Sequence, residues 1–383
     1  MIRFLIAKLL FIFYYNFDLL RGNDGTAYPG RFLLKICPDF LNRLLDGIDC
    51  ILVTGTNGKS TTTKMIATLL EANGIKCVYN FDGSNLYFSI AGSLARQISV
   101  FNKHKIKKAV IECDESWIRK VVKDVKTEVI VVTILDVDHT LDYSSVEEVA
   151  NLIKDGVEIA KDAVVCLNPT NEYHNIIRNI ENRKFINYKR IGNCAYVEDE
   201  KIKINLNIKG EYNIENAAAA LSAAKVLELL NEKSIKALSN MKPVYGRFET
   251  IMINDCQVTM TLIQNPIGAQ VVFDEILNNK SFIEKILFIG YDNMTEHLIK
   301  NETLNYVDFN KVFNKFEKVY VLDNHKLINS FLNNRGINID YKKMIEILEN
   351  LKEPVIMTLG YDGMMKARDI FAKRKYVKQF YIK

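Results

Sequence analysis

Residues 50–74 read CILVTGTNGKSTTTKMIATLLEANG. An apolar strand, Cys50 to Thr54, runs into a turn of Gly55, Thr56, Asn57 and Gly58, and Ser60 then starts an amphipathic helix, with Lys59 at the junction. Backbone N–H groups converge in such a turn, and a helix N-terminus carries partial positive charge, so phosphate fits there. Lys59 would reach the terminal phosphates as a point charge, and the hydroxyl of Ser60 or Thr61 would sit on Mg²⁺. The bland alternative is a strand-to-helix turn whose glycines serve geometry alone. Lysine, hydroxyls and preceding strand occurring together favour the nucleotide. The loop is shorter than the G-x-x-x-x-G-K-[ST] of general P-loop enzymes, which points to a particular subclass.

Outward from this stretch, apolar strands at Lys76–Tyr79, Ala109–Glu112, Glu128–Thr133 and Ala163–Leu167 alternate with helical stretches such as Ser89–Gln97, Glu115–Lys123 and Val146–Lys161. That rhythm predicts an α/β domain with a mainly parallel sheet. A polar segment from Asn182 to Lys209 breaks it, and GEYNIENAAAALSAAKVLELL then predicts a long alanine-rich helix. Beyond Pro243 and Gly246 a second alternating series begins, with strands near Val258–Leu262, Ile286–Ile289, Val319–Leu322 and Val355–Leu359. The expected organisation is a leader over 1–40, a central domain over 41–242 and a second α/β domain over 243–383.

The chain has 383 residues, 48% of them hydrophobic and a quarter charged, which suits a soluble globular protein of two domains. Its net charge of +5 is modest and its lysines are scattered, so a nucleic acid partner is not suggested. Seven cysteines include no C-x-x-C pair, which argues for a reducing cytoplasmic setting without disulfides or zinc. Arg3, Lys8 and Asp18 interrupt the apolar first twenty residues before any span long enough to cross a bilayer. A helix with Ile2, Leu5, Ile6, Leu9, Leu10 and Phe13 on one stripe is expected to pack on the protein's own core. A peripheral resting place on the inner face of the membrane is the second reading.

Further candidates follow from placement. Glu112, in IECDES, ends a strand where α/β sheets present their ligands, and its carboxylate could hold Mg²⁺; an E-x-D-E run alone is more often a solvated strand end. Asp138 and His139 project from the end of the next strand, for metal or phosphate contact or as structural residues. Asn213 and Asn216 lie three apart on one helix face, a spacing suited to an adenine edge or to capping. Arg247 follows a glycine beyond the expected hinge and could reach a γ-phosphate, or be a surface arginine. Asp292 follows the apolar strand Ile286–Ile289 and should emerge at its C-terminal edge, as a functional carboxylate or as a turn residue.

These blocks together resemble the Mur ligase family, whose members open their ATPase domain with G-T-N-G-K-[ST]. Within it they resemble the MurT-type amidating subunits. DGTAYPGRF looks like a leader with G-T-x-x-P-G, YNFDGSNLYFSIAGSLA like H-N-x-x-G-A-N-x-x-x-G-I, AVIECDES like I-E-x-D-E, and GEYNIENAAAAL like G-x-[YF]-N-x-[YE]-N-A-x-A-A. YGRFE, LIQNPIGAQ, GYDN and NYVDF follow in the order in which that branch shows G-R-x-[EQ], L-x-K-N-P-A-G, L-N-D-N and W-x-[YW]-D-x-D-F. The resemblance implies a P-loop ATPase domain followed by a Rossmann-like domain, with ATP and Mg²⁺ as cofactors. Gly55 to Thr61, Asn213, Asn216 and Arg247 would bind nucleotide, Ser60, Glu112 and His139 the metal, and Lys59, Glu112, Arg247 and Asp292 would serve catalysis. The implied activity is amidation of the D-glutamate carboxylate of lipid II through an acyl phosphate, with ammonia from a GatD-like glutaminase partner in a heterodimer. Asp292 would orient the partner's catalytic histidine.

Some positions depart from the pattern. The segment corresponding to a four-cysteine zinc ribbon holds only Cys194, so no zinc is expected. Ile134 stands where the branch has asparagine, Asp138-His139 is how ordinary Mur ligases write their motif, Gln264 replaces a lysine, and MTEHLIKNE replaces D-G-R-D. An amino-acid-adding Mur ligase or folylpolyglutamate synthase therefore stays open, as does a nucleotide-binding scaffold that has lost its chemistry. The leader is short for a UDP-binding domain, which weighs against the first of these.

Overall fold

The computed structural model describes residues 2–20, 27–80, 85–99, 102–136, 145–263, 266–290, 307–323, 326–332 and 335–377. They fall into two compact units, one drawn from residues 1–137, 144–207 and 211–241, the other including 208–210 and 242–383.

The first unit is built on β1 (Asp49–Thr54), β2 (Cys77–Tyr79), β3 (Lys108–Glu112), β4 (Thr127–Val132), β5 (Val164–Leu167), β6 (Phe185–Ile191), β7 (Cys194–Val197) and β8 (Glu200–Lys203). They lie in the order β2-β3-β1-β4-β5-β6-β7-β8, parallel as far as β6. Cys50–Thr54, Ala109–Glu112 and Val129–Val132 are wholly buried, because unbroken runs of Val, Ile and Leu belong to a parallel sheet covered on both faces. β1 is central, with Val53 opposite Glu112 on one side and Val131 on the other. The ends of β1 and β3 thus emerge together where the strand order reverses, the position at which such sheets take ligands.

The helix Lys59–Ala72 leaves directly from the β1 turn and packs on the helix Tyr212–Val226. Ala217–Ala220, Ala223 and Ala224 are all buried in the latter, and their small side chains admit close helix approach. The stretch 182–209, expected to break the rhythm, instead carries β6, β7 and β8, an antiparallel meander that widens the sheet. Its half-exposed strands alternate with lysines and arginines, which hides a period of two behind apparent polarity.

The leader forms helices Ile2–Leu20 and Ala27–Ile36. Core packing of its apolar stripe is not what the structure has. Ala7, Phe11 and Tyr15 face inward, while Ile2, Leu5, Ile6, Leu9, Leu10 and Phe13 are exposed. Among the described residues no helix is long and apolar enough to cross a membrane.

The second unit holds β9 (Arg247–Ile253), β10 (Cys256–Leu262), β11 (Ile286–Gly290), β12 (Lys318–Leu322), β13 (Ile337–Ile339) and β14 (Val355–Leu359). Their order is β13-β12-β11-β14-β10-β9, parallel except for the edge strand β9, which a tight turn through Asn254 folds back on β10. Met260, Phe288, Met344, Met357 and Phe371 form its core. Lys209, in the short stretch 208–210, ion-pairs with the buried Glu284 at 3.4 Å, and Thr259 donates to the same carboxylate at 3.4 Å.

Candidate functional site

Beyond Thr54 the backbone turns through Gly55 at φ +122° and Gly58 at φ +93°, conformations that glycine alone adopts without strain. Space gives a second reason for both. A Cβ on Gly55 would lie 2.4 Å from Thr133 Oγ1, and one on Gly58 would lie 2.3 Å from Asn216 Oδ1. Ile134 O accepts from the N–H of Thr56 at 2.9 Å and of Asn57 at 3.3 Å, and Thr56 Oγ1 donates to Asp136 O at 3.1 Å. These bonds hold the turn against the chain leaving β4. The first bond of the following helix runs from Thr62 N–H to Gly58 O at 2.9 Å, so the N–H groups ahead of it belong to the open helix end.

Lys59 bends back over this turn. Its Nζ donates to Gly55 O, to Thr56 O at 3.2 Å and to Glu115 Oε1 at 3.0 Å. Burial pulls its pKa down, but the charge of Glu115 and the bond to it, with Asp114 and Glu112 behind, outweigh that and hold it above the ordinary lysine value. Lys59 is therefore a charged ammonium with only a small part of its side chain exposed. Ser60 Oγ donates to Glu112 Oε1 at 3.0 Å, which brings the strand-end carboxylate and the helix-start hydroxyl together. Glu112 is fixed by Asn80, whose amide accepts from the Glu112 N–H and donates to the Glu112 carbonyl, both at 2.8 Å.

Behind the turn, His174 accepts from Asn168 N–H at Nδ1 (2.9 Å), so its proton is on Nε2 and is donated to Thr133 O at 3.0 Å. Burial lowers its pKa to about 4, keeping it neutral beside the residue against which Gly55 packs.

The structure thus brings Gly55, Thr56, Asn57, Gly58, Lys59, Ser60, Thr61 and Glu112 to one sheet edge. Asn213 and Asn216 open the helix Tyr212–Val226 and bond each other at 3.1 Å, with Asn216 standing against Gly58. Arg247 opens β9 in the second unit, where its Nη1 donates to Gly246 O at 3.3 Å, and is not among the residues the first unit gathers. His139, with Asp138, and Asp292 lie outside the described residues. Sequence reasoning missed Glu115 and Asn80. Glu115 follows Glu112 by three in IECDES, and Asn80 is the polar residue ending an apolar strand; both signals were present but ordinary.

The site fits a nucleotide phosphate and a hard cation. Two glycines leave the cradle open, a charged amine crosses it, and a hydroxyl and a carboxylate converge as oxygen donors of the kind Mg²⁺ takes. Among the described residues no group of three or more His, Cys, Asp and Glu comes together as a metal cluster.

Residues 53–224 match the Mur ligase middle domain. The chain is 25% identical over 304 residues to the lipid II isoglutaminyl synthase (glutamine-hydrolyzing) subunit MurT of Staphylococcus aureus strain COL, covering 64% of this chain and 68% of that one. Among solved structures, MurF from Acinetobacter baumannii superposes with a TM-score of 0.68 at 13% identity, over 88% of this chain and 80% of that one. Folylpolyglutamate synthase of Mycobacterium tuberculosis, complexed with ADP, does so with a TM-score of 0.65 at 13% identity, over 87% and 92%. At such identities the structures establish the fold.

Proposed function

We propose, from the premise that residues 53–224 are a Mur ligase middle domain and the chain an ATP-dependent ligase, that it amidates the D-glutamate α-carboxylate of lipid II with ammonia from a GatD-like glutaminase subunit. The observation that carries this reading furthest is the convergence of Lys59, Ser60 and Glu112 at the ends of β1 and β3. ATP would supply the γ-phosphoryl group. A carboxylate oxygen takes it to give an acyl phosphate and ADP; ammonia then attacks the carbonyl carbon, phosphate leaves and the amide remains. The chain's own work in the first step is positioning and charge neutralisation. Lys59 and the open helix end hold the phosphates, and Ser60 and Glu112 offer the oxygens for Mg²⁺. In this reading Arg247 adds a guanidinium, Asn213 and Asn216 flank the nucleotide, His139 joins the metal's ligands, and the reaction runs on the cytoplasmic side where ATP is supplied.

Purified chain assayed with ATP, lipid II and ammonium should form amide and ADP in equal amounts, and glutamine should replace ammonium only when the glutaminase subunit is added. Asp292→Asn should suppress the glutamine-driven reaction and spare the ammonium-driven one, because a carboxylate that orients a partner's histidine matters to ammonia supply alone. Equal loss with both nitrogen sources would place Asp292 in the ligase site or the fold. Turnover with an amino acid in place of ammonium would favour the amino-acid-adding reading, which the Asp138-His139 pair supports. No turnover with any acceptor would favour the scaffold.

A further inference from the structure

The helix Ile2–Leu20 is about 28 Å long at the usual rise, and its two faces are unlike. Ala7, Phe11 and Tyr15 pack inward. The opposite arc carries Ile2, Leu9, Leu10, Ile12, Phe13 and Phe17, from 41% to 75% exposed, and no charged residue. Tyr28 of the next helix is 72% exposed. A contiguous apolar surface of this extent marks an interaction site rather than scattered surface residues.

Beside the arc lies a cavity of about 570 Å³ whose walls include Phe4 and Leu5 of the helix and the cations Lys8, Arg43 and Lys103. Two carboxylates, Asp39 and Asp46, also line it; Asp39 and Arg43 neutralise each other at 2.6 Å, which leaves Lys8 and Lys103 against Asp46. Lys8 is 6% exposed, donates to Ile98 O, and has Lys103 as its charged neighbour. Lys105 and Lys107 continue the basic run from Lys103, and from Ile98 to Ile111 the sequence has no acidic residue.

We propose that the outward face of the N-terminal helix docks on an anionic lipid bilayer, its apolar side chains entering the acyl boundary and the adjoining cavity receiving a phosphate-bearing headgroup at Lys8 and Lys103. An uncharged arc with cations along one side matches a bilayer surface, where apolar insertion and attraction to acidic headgroups add. A second copy seated on the same arc would bring a second set of the same cations to the contact. The proposal is independent of the ligase reading.

The test is flotation of the full chain with vesicles of phosphatidylcholine, alone or mixed with phosphatidylglycerol, without nucleotide. Wild type should float with the mixed vesicles and remain behind with phosphatidylcholine. Leu9→Asp with Phe13→Asp should reduce flotation about tenfold or more, and Lys103→Glu with Lys105→Glu by about the same factor. The first two positions are 67% and 73% exposed, so melting temperature should not move. A Phe13→Trp chain gives an independent reading, since a tryptophan in the acyl boundary is quenched by brominated lipid. Lys59→Ala should float like wild type, so failure here is separable from failure of the ligase assignment. Equal flotation of wild type and the Asp variant overturns the proposal, as do unquenched Phe13→Trp emission and a dimer in sedimentation velocity that the Asp variant dissociates.

Discussion

Lys59, its side chain 11% exposed, and the buried Lys8 are both amines of the first unit that donate to backbone carbonyls, and they meet opposite electrostatics. Lys59 sits among Glu115, Asp114 and Glu112 and is held above the ordinary value. Lys8 has burial and Lys103 against it and falls to about 8. What separates them is the charge arranged around the buried amine: at the nucleotide turn carboxylates keep a cation in place, whereas at the leader the fold leaves a cation undercompensated. A charge already compensated is poised for exchange with phosphate.

The largest effect should come from the first amine. Lys59→Ala should lower ATP-dependent turnover by roughly 10²-fold or more, the scale of one preorganised charge contact, with the fold intact. Wild-type turnover would dissolve the comparison. Pairing it with Glu115→Gln should recover any melting temperature lost through the stranded carboxylate, and none of the turnover.

Gly58→Ala should weaken binding of a non-hydrolysable ATP analogue about tenfold, because strain at a left-handed position costs of order 1–3 kcal/mol and the new methyl collides with Asn216. Calorimetric titration reads it. Unchanged affinity would mean that the turn's shape is not what the nucleotide uses.

The smallest effect belongs to Lys8, and its sign runs the other way. Its folded-state pKa of about 8 lies below the ordinary lysine value of 10.5, so between these the unfolded chain binds more protons and stability rises with pH; the full penalty is present below about pH 8. Lys8→Met should therefore raise the melting temperature at pH 7 by about 2–4 °C, and the gain should shrink by pH 10. A gain that does not change with pH would show that packing, not charge, is at stake.

The nucleotide turn was legible because its parts are adjacent: strand, glycines, lysine and hydroxyl lie within a dozen residues, and local geometry follows from local sequence. What completes the site was not. Glu115 reaches Lys59 across 56 positions, and Asn216 lies against Gly58 from a helix far along the chain. Nothing in the intervening sequence encodes those distances; the order of β strands does. The leader failed for a different reason. Its helix is apolar on both sides, so periodicity could find the stripe without saying which way it faces, and the inward side proved to be Ala7, Phe11 and Tyr15. The meander of β6, β7 and β8 was hidden by its charged outer face, and β9 by being an edge strand with much of its length exposed.

Chain order and strand order together set a timetable for assembly during synthesis. β1 leaves the ribosome before any strand that will flank it, and gains parallel neighbours on both sides only after β3 and β4 have emerged. Thr56 then waits for Ile134, and Gly58 faces Asn216 only when that still later helix has been made. The most recognisable motif in the chain is thus translated before every strand that flanks it and acquires its final surroundings only later. A nascent chain halted before residue 216 carries the letters of the phosphate turn without the wall that closes it.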